Sequence, residues 1–167
     1  MTNYLPLILL SLSTQLVFAQ LPPNKLSQDP VFSNVLEHRL KYPRQAQWSS
    51  IYARIFAEFT IDEKGHVQAI SILNHSNEGV YFGLEPAVVN VLKKLPPLSL
   101  QYRGHYILPV TFQLQDYRSK GNLLIPKDSL HLIDLGGRVI LNEVKVTGST
   151  VNSQQRIGSS TRLDVKP

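Results

Sequence analysis

The sequence predicts an α+β fold: a three-stranded antiparallel sheet with two helices packed on one face, followed by an extended C-terminal tail. Three observations predict it. Residues 52–62 and 66–73 alternate or run as strands on either side of a turn at Gly65. Residues 84–95 carry apolar side chains at helical spacing. Residues 105–115 alternate again and can close the sheet, and one layer of helices on one layer of sheet buries all of these stripes together.

Taken in order, residues 1–19 have the layout of a secretory signal peptide. No charged side chain occurs there, an apolar run from Leu5 to Leu12 gives way to Ser13, Thr14 and Gln15, and Val17 and Ala19 fall at the −3 and −1 positions of a small-residue cleavage site. A membrane-spanning helix needs about 20 predominantly apolar residues, and Pro6 with the Ser/Thr/Gln cluster interrupts the run first. The expectation is cleavage after Ala19, a periplasmic location and no stable membrane span afterwards. Residues 20–41 form a polar lead-in, with Val31, Val35, Leu36 and Leu40 predicted as one face of a short helix. Tyr42-Pro43 ends it, because a residue before proline avoids the helical region. Pro43 then starts a second short helix through Trp48, which is expected to pack under the sheet.

In the first strand Ala53, Ile55, Ala57, Phe59 and Ile61 fall on one face. Arg54, Glu58, Thr60 and Asp62 fall on the other, with Phe56 the exception. Asp62 to Gly65 makes a hairpin turn, and His66 to Leu73 pairs back antiparallel. Residues 74–83 read as a polar loop. The helix that follows carries Leu84, Ala87, Val88, Val91, Leu92 and Leu95 as one stripe. Glu85 near its start and Lys93 and Lys94 near its end complement the macrodipole, and Pro96-Pro97 stops it. In the last strand Pro109 cannot donate a ladder hydrogen bond, which predicts an edge. Residues 116–167 read as a linker, short apolar runs, an extended segment from Val139 to Thr147, and from Gly148 a polar stretch expected to be disordered.

Composition narrows the function. The 167 residues include no cysteine, so the fold rests on its core, for which the 43% hydrophobic content suffices. The formal charge of +5 is scattered, without the basic run or aromatic interleaving that nucleic-acid binding calls for. His38, His66, His75, His105 and His131 show no metal-ligand spacing, no serine sits in a nucleophile elbow, and no glycine-rich loop opens a helix. The expectation is a binding protein with no cofactor, no metal and no catalytic residue.

Several of these segments resemble, in order and at the right separations, the TonB C-terminal domain family. Tyr42-Pro43 with Ala46 is similar to the family's YP-x-x-A helix. Phe59-Thr60-Ile61-Asp62 followed by Gly65 and Val67 resembles its "F-x-I-D-x-x-G-x-V" ending. Leu84-Glu85, Ala87, Val91, Lys93-Lys94 and Leu95-Pro96 resemble its second helix, and Leu108 to Phe112 its "LPV-x-F" strand. The resemblance spans residues 42–115 as a domain. Ala53 stands where the family often has glycine, and Leu98-Ser99-Leu100 replaces an aromatic-x-Pro. The uncleaved membrane helix and Pro-rich spacer of an energy-transducing TonB protein have no counterpart here, so the resemblance implies a free periplasmic relative.

The resemblance also implies a mechanism. TonB domains bind the TonB box of an outer-membrane receptor by strand addition, main-chain bonds supplying affinity and alternate side chains selectivity. The acceptor strand here comprises Tyr106, Ile107, Leu108, Val110, Thr111 and Gln113, with Ile107, Thr111 and Gln113 facing outward to the partner. On that view Val110→Pro removes a ladder donor and abolishes capture. In the tail, Glu143, Val144, Lys145, Val146 and Thr147, ending at Gly148, resemble a TonB box. An ordinary strand is the competing reading of that run. If it mimics a TonB box, the chain can dock its own tail. The partner is then a TonB-dependent receptor, the chain's own tail, or a second copy of the chain. The alternative is a structural cell-envelope protein that dimerises or contacts the cell wall through the same fold.

Overall fold

The computed structural model describes residues 25–117, 122–130 and 136–150. The expected signal peptide, His131 and the end of the tail lie outside them. The fold is α+β, but the sheet is mixed and has six strands rather than three. Strands β1 (Ala53–Ile61) and β2 (Val67–Ile72) form the expected antiparallel hairpin, and β3 (Gly104–Asp116) lies antiparallel against the other side of β1. The tail adds the rest. β4 (Asn122–Leu124) returns antiparallel on β3, while β5 (Val139–Ile140) and β6 (Val144–Ser149) run parallel to it.

Four helices accompany the sheet: α1 (Pro30–Arg39), α2 (Arg44–Trp48), α3 (Asn77–Tyr81) and α4 (Leu84–Lys93). Asp29 caps α1, its carboxylate accepting from the backbone N–H groups of Val31 and Phe32. The buried side of α1 is Phe32 and Leu36, continued by Leu40 just past its end, and Val31 is 45% exposed. The predicted face was rotated by about one position, because Phe32 stacks on Phe59 with ring centroids 6.3 Å apart. Trp48 is 51% exposed rather than under the sheet; Ala46 is the fully buried residue of α2. Segment 74–83 is not a plain loop, because Ser76 caps the short helix α3 by accepting from Gly79 N–H at 2.8 Å.

Helix α4 follows its predicted stripe, with Leu84, Val88, Val91 and Leu92 buried. It packs on β1 and β2, where Ile55, Ala57, Phe59 and Ile61 face it. Phe59 continues the aromatic stack to Tyr106 at 5.6 Å. The hairpin turn is held by Asp62, which accepts from the N–H groups of His66 and Lys64, both at 2.8 Å. Those bonds, His66 first, hold its carboxyl below the usual aspartate range. Gly65 is required there twice over: its φ is +79°, and a Cβ would collide with the Leu98 carbonyl oxygen.

The bonding sense of β3 follows from its neighbours. Phe56 turns both main-chain groups to the β2 side, donating to Asn74 Oδ1 and accepting from Leu73 N–H. Antiparallel pairing alternates, so Ile55 and Ala57 bond toward β3, and their partners Val110 and Leu108 bond toward β1. The odd-numbered residues of β3 therefore present their main chain to the opposite side. Leu141 N–H on Ile107 C=O at 2.8 Å and Thr150 N–H on Gln115 C=O at 3.0 Å fit that parity. Since β1 pairs with Gly104 to Phe112 of β3, β4 with Leu114 to Asp116, and β6 with residues of both stretches, β4 lies on β1's side while β5 and β6 take the other.

Candidate strand-acceptor site

The predicted edge strand is an interior strand. Its outer side is covered by β5 and β6, which pair Tyr106 with Val139, Ile107 with Ile140, and Val110 through Gln115 with Val144 through Ser149. The acceptor residues and the candidate docking strand are thus brought together in one molecule. Tyr106, Leu108 and Val110 point into the core, and Ile107 and Thr111 are also fully buried. Val110 N–H bonds toward β1, so Val110→Pro strikes the central ladder and not the acceptor side, contrary to the expectation from alternation alone.

Pro109 explains the break between β5 and β6. Its missing N–H belongs to the odd, outward set. Between the Ile107–Ile140 and Val110–Val144 pairs the tail advances four residues while β3 advances three. The extra residue forms a bulge opposite the strand position that has no donor to offer. Pro109 marks a sheet margin, as proline does, but a margin filled from within the chain.

Side chains anchor the docked strand at three points. Glu143 meets a built carboxylate subsite. Thr111 Oγ1 donates to Glu143 Oε1 at 2.5 Å and accepts from Arg54 Nε at 2.9 Å, and Arg54 Nε also lies 3.1 Å from Glu143 Oε1. Arg54 is held in turn by Asp128, whose carbonyl accepts from its guanidinium at 3.0 Å and whose carboxylate accepts from its backbone N–H at 3.1 Å. Further along, Gln113 Nε2 donates to Thr147 Oγ1 at 2.8 Å. Gly148 then lies against the ring of Tyr42, where a Cβ would come within 2.5 Å of Cδ2. Tyr42 is fixed by its hydroxyl on Ile51 C=O at 2.6 Å and by an edge-on contact with Phe112 at 5.4 Å, and burial pushes its pKa upward.

The docked strand is less embedded than the sheet it joins. Val144 and Val146 are only half-buried, because an open groove lined by Leu36, Glu37, Lys41 and Arg44 separates β6 from α1 and α2. The parallel sense demands a long crossover, whose described residues Asp128 and Arg138 meet the sheet face that carries Arg54 and Glu58. Asp128 on Arg54 and Arg138 on Glu58 tie that crossover down.

Alternation placed Arg54 and Glu58 on a solvent face and did not single them out. The available signal was an arginine in an otherwise apolar strand segment. Glu85 was read for its charge at a helix start; it is 3% exposed and accepts from Ser76 N–H at 2.9 Å and pairs with His75 Nδ1 at 2.7 Å. Asn74, which falls in a segment with the pattern of a loop, bridges the first strand, accepting from Phe56 N–H and donating to Arg54 C=O at 2.7 Å.

Among the described residues no three His, Asp or Glu side chains lie together as a metal site would require, and His66 and His105 sit on opposite sides of β1. No helix among them is long and apolar enough to cross a membrane. No family model matches the chain, and no curated protein or solved structure is significantly similar to it.

Proposed function

We propose that this chain is a periplasmic protein-binding module of the TonB C-terminal type, which captures an extended segment of an outer-membrane receptor by strand addition. The acceptor is the outward side of β3, and the chain's own tail holds that place until a partner displaces it. One observation carries the reading: an extended tail segment occupies the outward main-chain groups of β3 in a parallel register from Val110 to Gln115. Strand addition of this kind needs a run of main-chain groups and room for alternate side chains; β3 offers the run from Thr111 to Gln115, past the interruption at Pro109, and the groove beside α1 offers the room. The chemistry is binding, with affinity from the main chain and selection from Arg54, Thr111 and Tyr42.

A tethered strand competes with any partner at an effective concentration that reaches about millimolar for a short flexible linker, and here Asp128 and Arg138 hold the longer connection against the sheet. A partner must therefore bind more tightly than the tail alone would, or several chain elements must engage it together. The test is amide exchange on the full chain with synthetic peptides from the N-terminal extensions of TonB-dependent receptors. The expected result is saturable binding with faster exchange along Val144–Ser149 and retained protection at Thr111 and Gln113. A panel that fails to bind, or binding that leaves β6 protected, contradicts displacement at β3.

A further inference from the structure

We infer that the β3 acceptor reads a two-point code in the strand it holds: a carboxylate at the position of Glu143 and a glycine at the position of Gly148, five residues further on. The inference rests on the strand-binding reading above and names the class of segment that can replace the tail. That class is an extended segment running parallel to β3, acidic at the first point and side-chain-free at the second.

The first point is a charge site assembled before any ligand arrives. Thr111 is fully buried and its hydroxyl accepts from Arg54, so its own proton is left to donate outward, onto the Glu143 carboxylate. Arg54 is oriented by Asp128 and not by the tail strand alone. A carboxylate there accepts a charge-assisted bond from the Thr111 hydroxyl and pairs ionically with Arg54, while a neutral amide forfeits the ionic component. An apolar residue leaves the buried Thr111 hydroxyl without its acceptor and the partly exposed guanidinium without its ion pair.

The second point is steric. Gly148 is buried, and its backbone lies in the ordinary extended region, so no conformational need explains a glycine there. The need comes from the Tyr42 ring, whose Cδ2, Cε2 and Cγ would lie within 2.8 Å of a Cβ. The ring cannot retreat readily, because its hydroxyl is bonded to Ile51 and its edge packs on Phe112. Between the two points, Val144 and Val146 face the open groove beside α1, which accepts varied apolar side chains, and Lys145 is exposed on the other face. The ends of the segment are read strictly and the middle loosely.

The test uses the full chain carrying Gly148→Ala, which frees the acceptor by blocking its own tail, and a fluorescent peptide with the sequence of residues 139–150. That peptide is expected to bind. Its Glu-to-Gln form should bind about ten- to a hundredfold more weakly, the range for loss of a hydrogen bond to a charged group. Its Gly-to-Ala form should show no saturable binding. In a second variant, Tyr42→Ala combined with Gly148→Ala, the space left by the ring should let the chain's own tail dock again, read as restored amide protection at Thr111 and Gln113; exchange as fast as in Gly148→Ala alone overturns the steric point. Equal affinity for all three peptides overturns the code while leaving strand capture intact. Absence of binding by the parent peptide, with circular dichroism showing a folded chain, overturns capture itself and the code with it. To guard against a misfolded Gly148→Ala chain, Glu143→Gln serves as an independent release variant. It should raise exchange at the Thr111 amide, and unchanged exchange there counts against the carboxylate point.

Discussion

At the residue scale, the side chains that matter most are polar ones that the hydrophobic pattern treats as surface. Glu85 is the clearest. A carboxylate 3% exposed is tolerated because Ser76 N–H and His75 satisfy its two oxygens. It joins the start of α4 to the cap of α3, so the loop after β2 is held by the helix it precedes. Glu85→Ala removes both bonds and leaves Ser76 N–H without its acceptor. The expected loss is about 1–3 kcal/mol in a urea titration with an unchanged slope. A loss confined within about 0.5 kcal/mol, the range of ordinary surface substitutions, marks the pair as peripheral. Arg54 works in the same manner for the sheet, tying β1, β3, the crossover and the tail through one guanidinium and one hydroxyl.

At the element scale, β3 decides the architecture. Thirteen residues long, it outlasts β1 and pairs on both sides. Even-numbered residues bond to the side of β1 and β4, and odd-numbered ones to the side of β5 and β6. The two sets make separable predictions. Gln113→Pro removes one outward donor beyond the end of the β1 ladder and should free Val144–Ser149 to exchange without lowering protection in β1. Val110→Pro removes an inward donor at the centre of the ladder and should unfold the domain, as proline does in central strands. Hydrogen exchange of the two variants side by side distinguishes them, and equal damage from both argues against the assigned parity. The bulge opposite Pro109 belongs to this scale too: one residue without an N–H sets where β5 ends and β6 can begin.

At the scale of the whole molecule, the tail serves as two kinds of structure. Its crossover covers the sheet face that carries Arg54 and Glu58, and its last strand completes the sheet margin. An unpaired margin is an aggregation hazard, and the docked tail covers the outer side of the long β3, leaving the shorter β6 at that margin. Deleting residues 122–167 should therefore expose the amides of Ile107, Thr111 and Gln113 to exchange while Leu108 and Phe112 stay protected, and should lower solubility. If Leu108 and Phe112 also lose protection, the tail is part of the folding core and cannot act as a displaceable strand.

The sequence by itself determined the elements whose signal is local and periodic. The β1–β2 hairpin, the α4 stripe, the extent of β3 and the Gly65 turn are legible because each depends on residues a few positions apart. The exposure of Trp48 and the presence of α3 are not legible, because a five-residue helix offers too few positions to fix a phase, and the face of α1 is set by the Phe32–Phe59 stack rather than by a clean apolar stripe. Tertiary structure alone decided the number of strands and the fate of the β3 margin. Whether Val144–Ser149 remains a tail or becomes a sheet strand depends on Arg54, Thr111, Gln113 and Tyr42, residues 32 to 106 positions away from their tail partners (Thr111–Glu143 and Tyr42–Gly148 being the extremes). Such pairings leave no periodic trace, since each end satisfies its own strand pattern whether or not the other is present. The carboxylate subsite was invisible for the same reason: its parts come from β1, β3, the crossover and the tail, and only folding brings their charges and hydroxyl to one place.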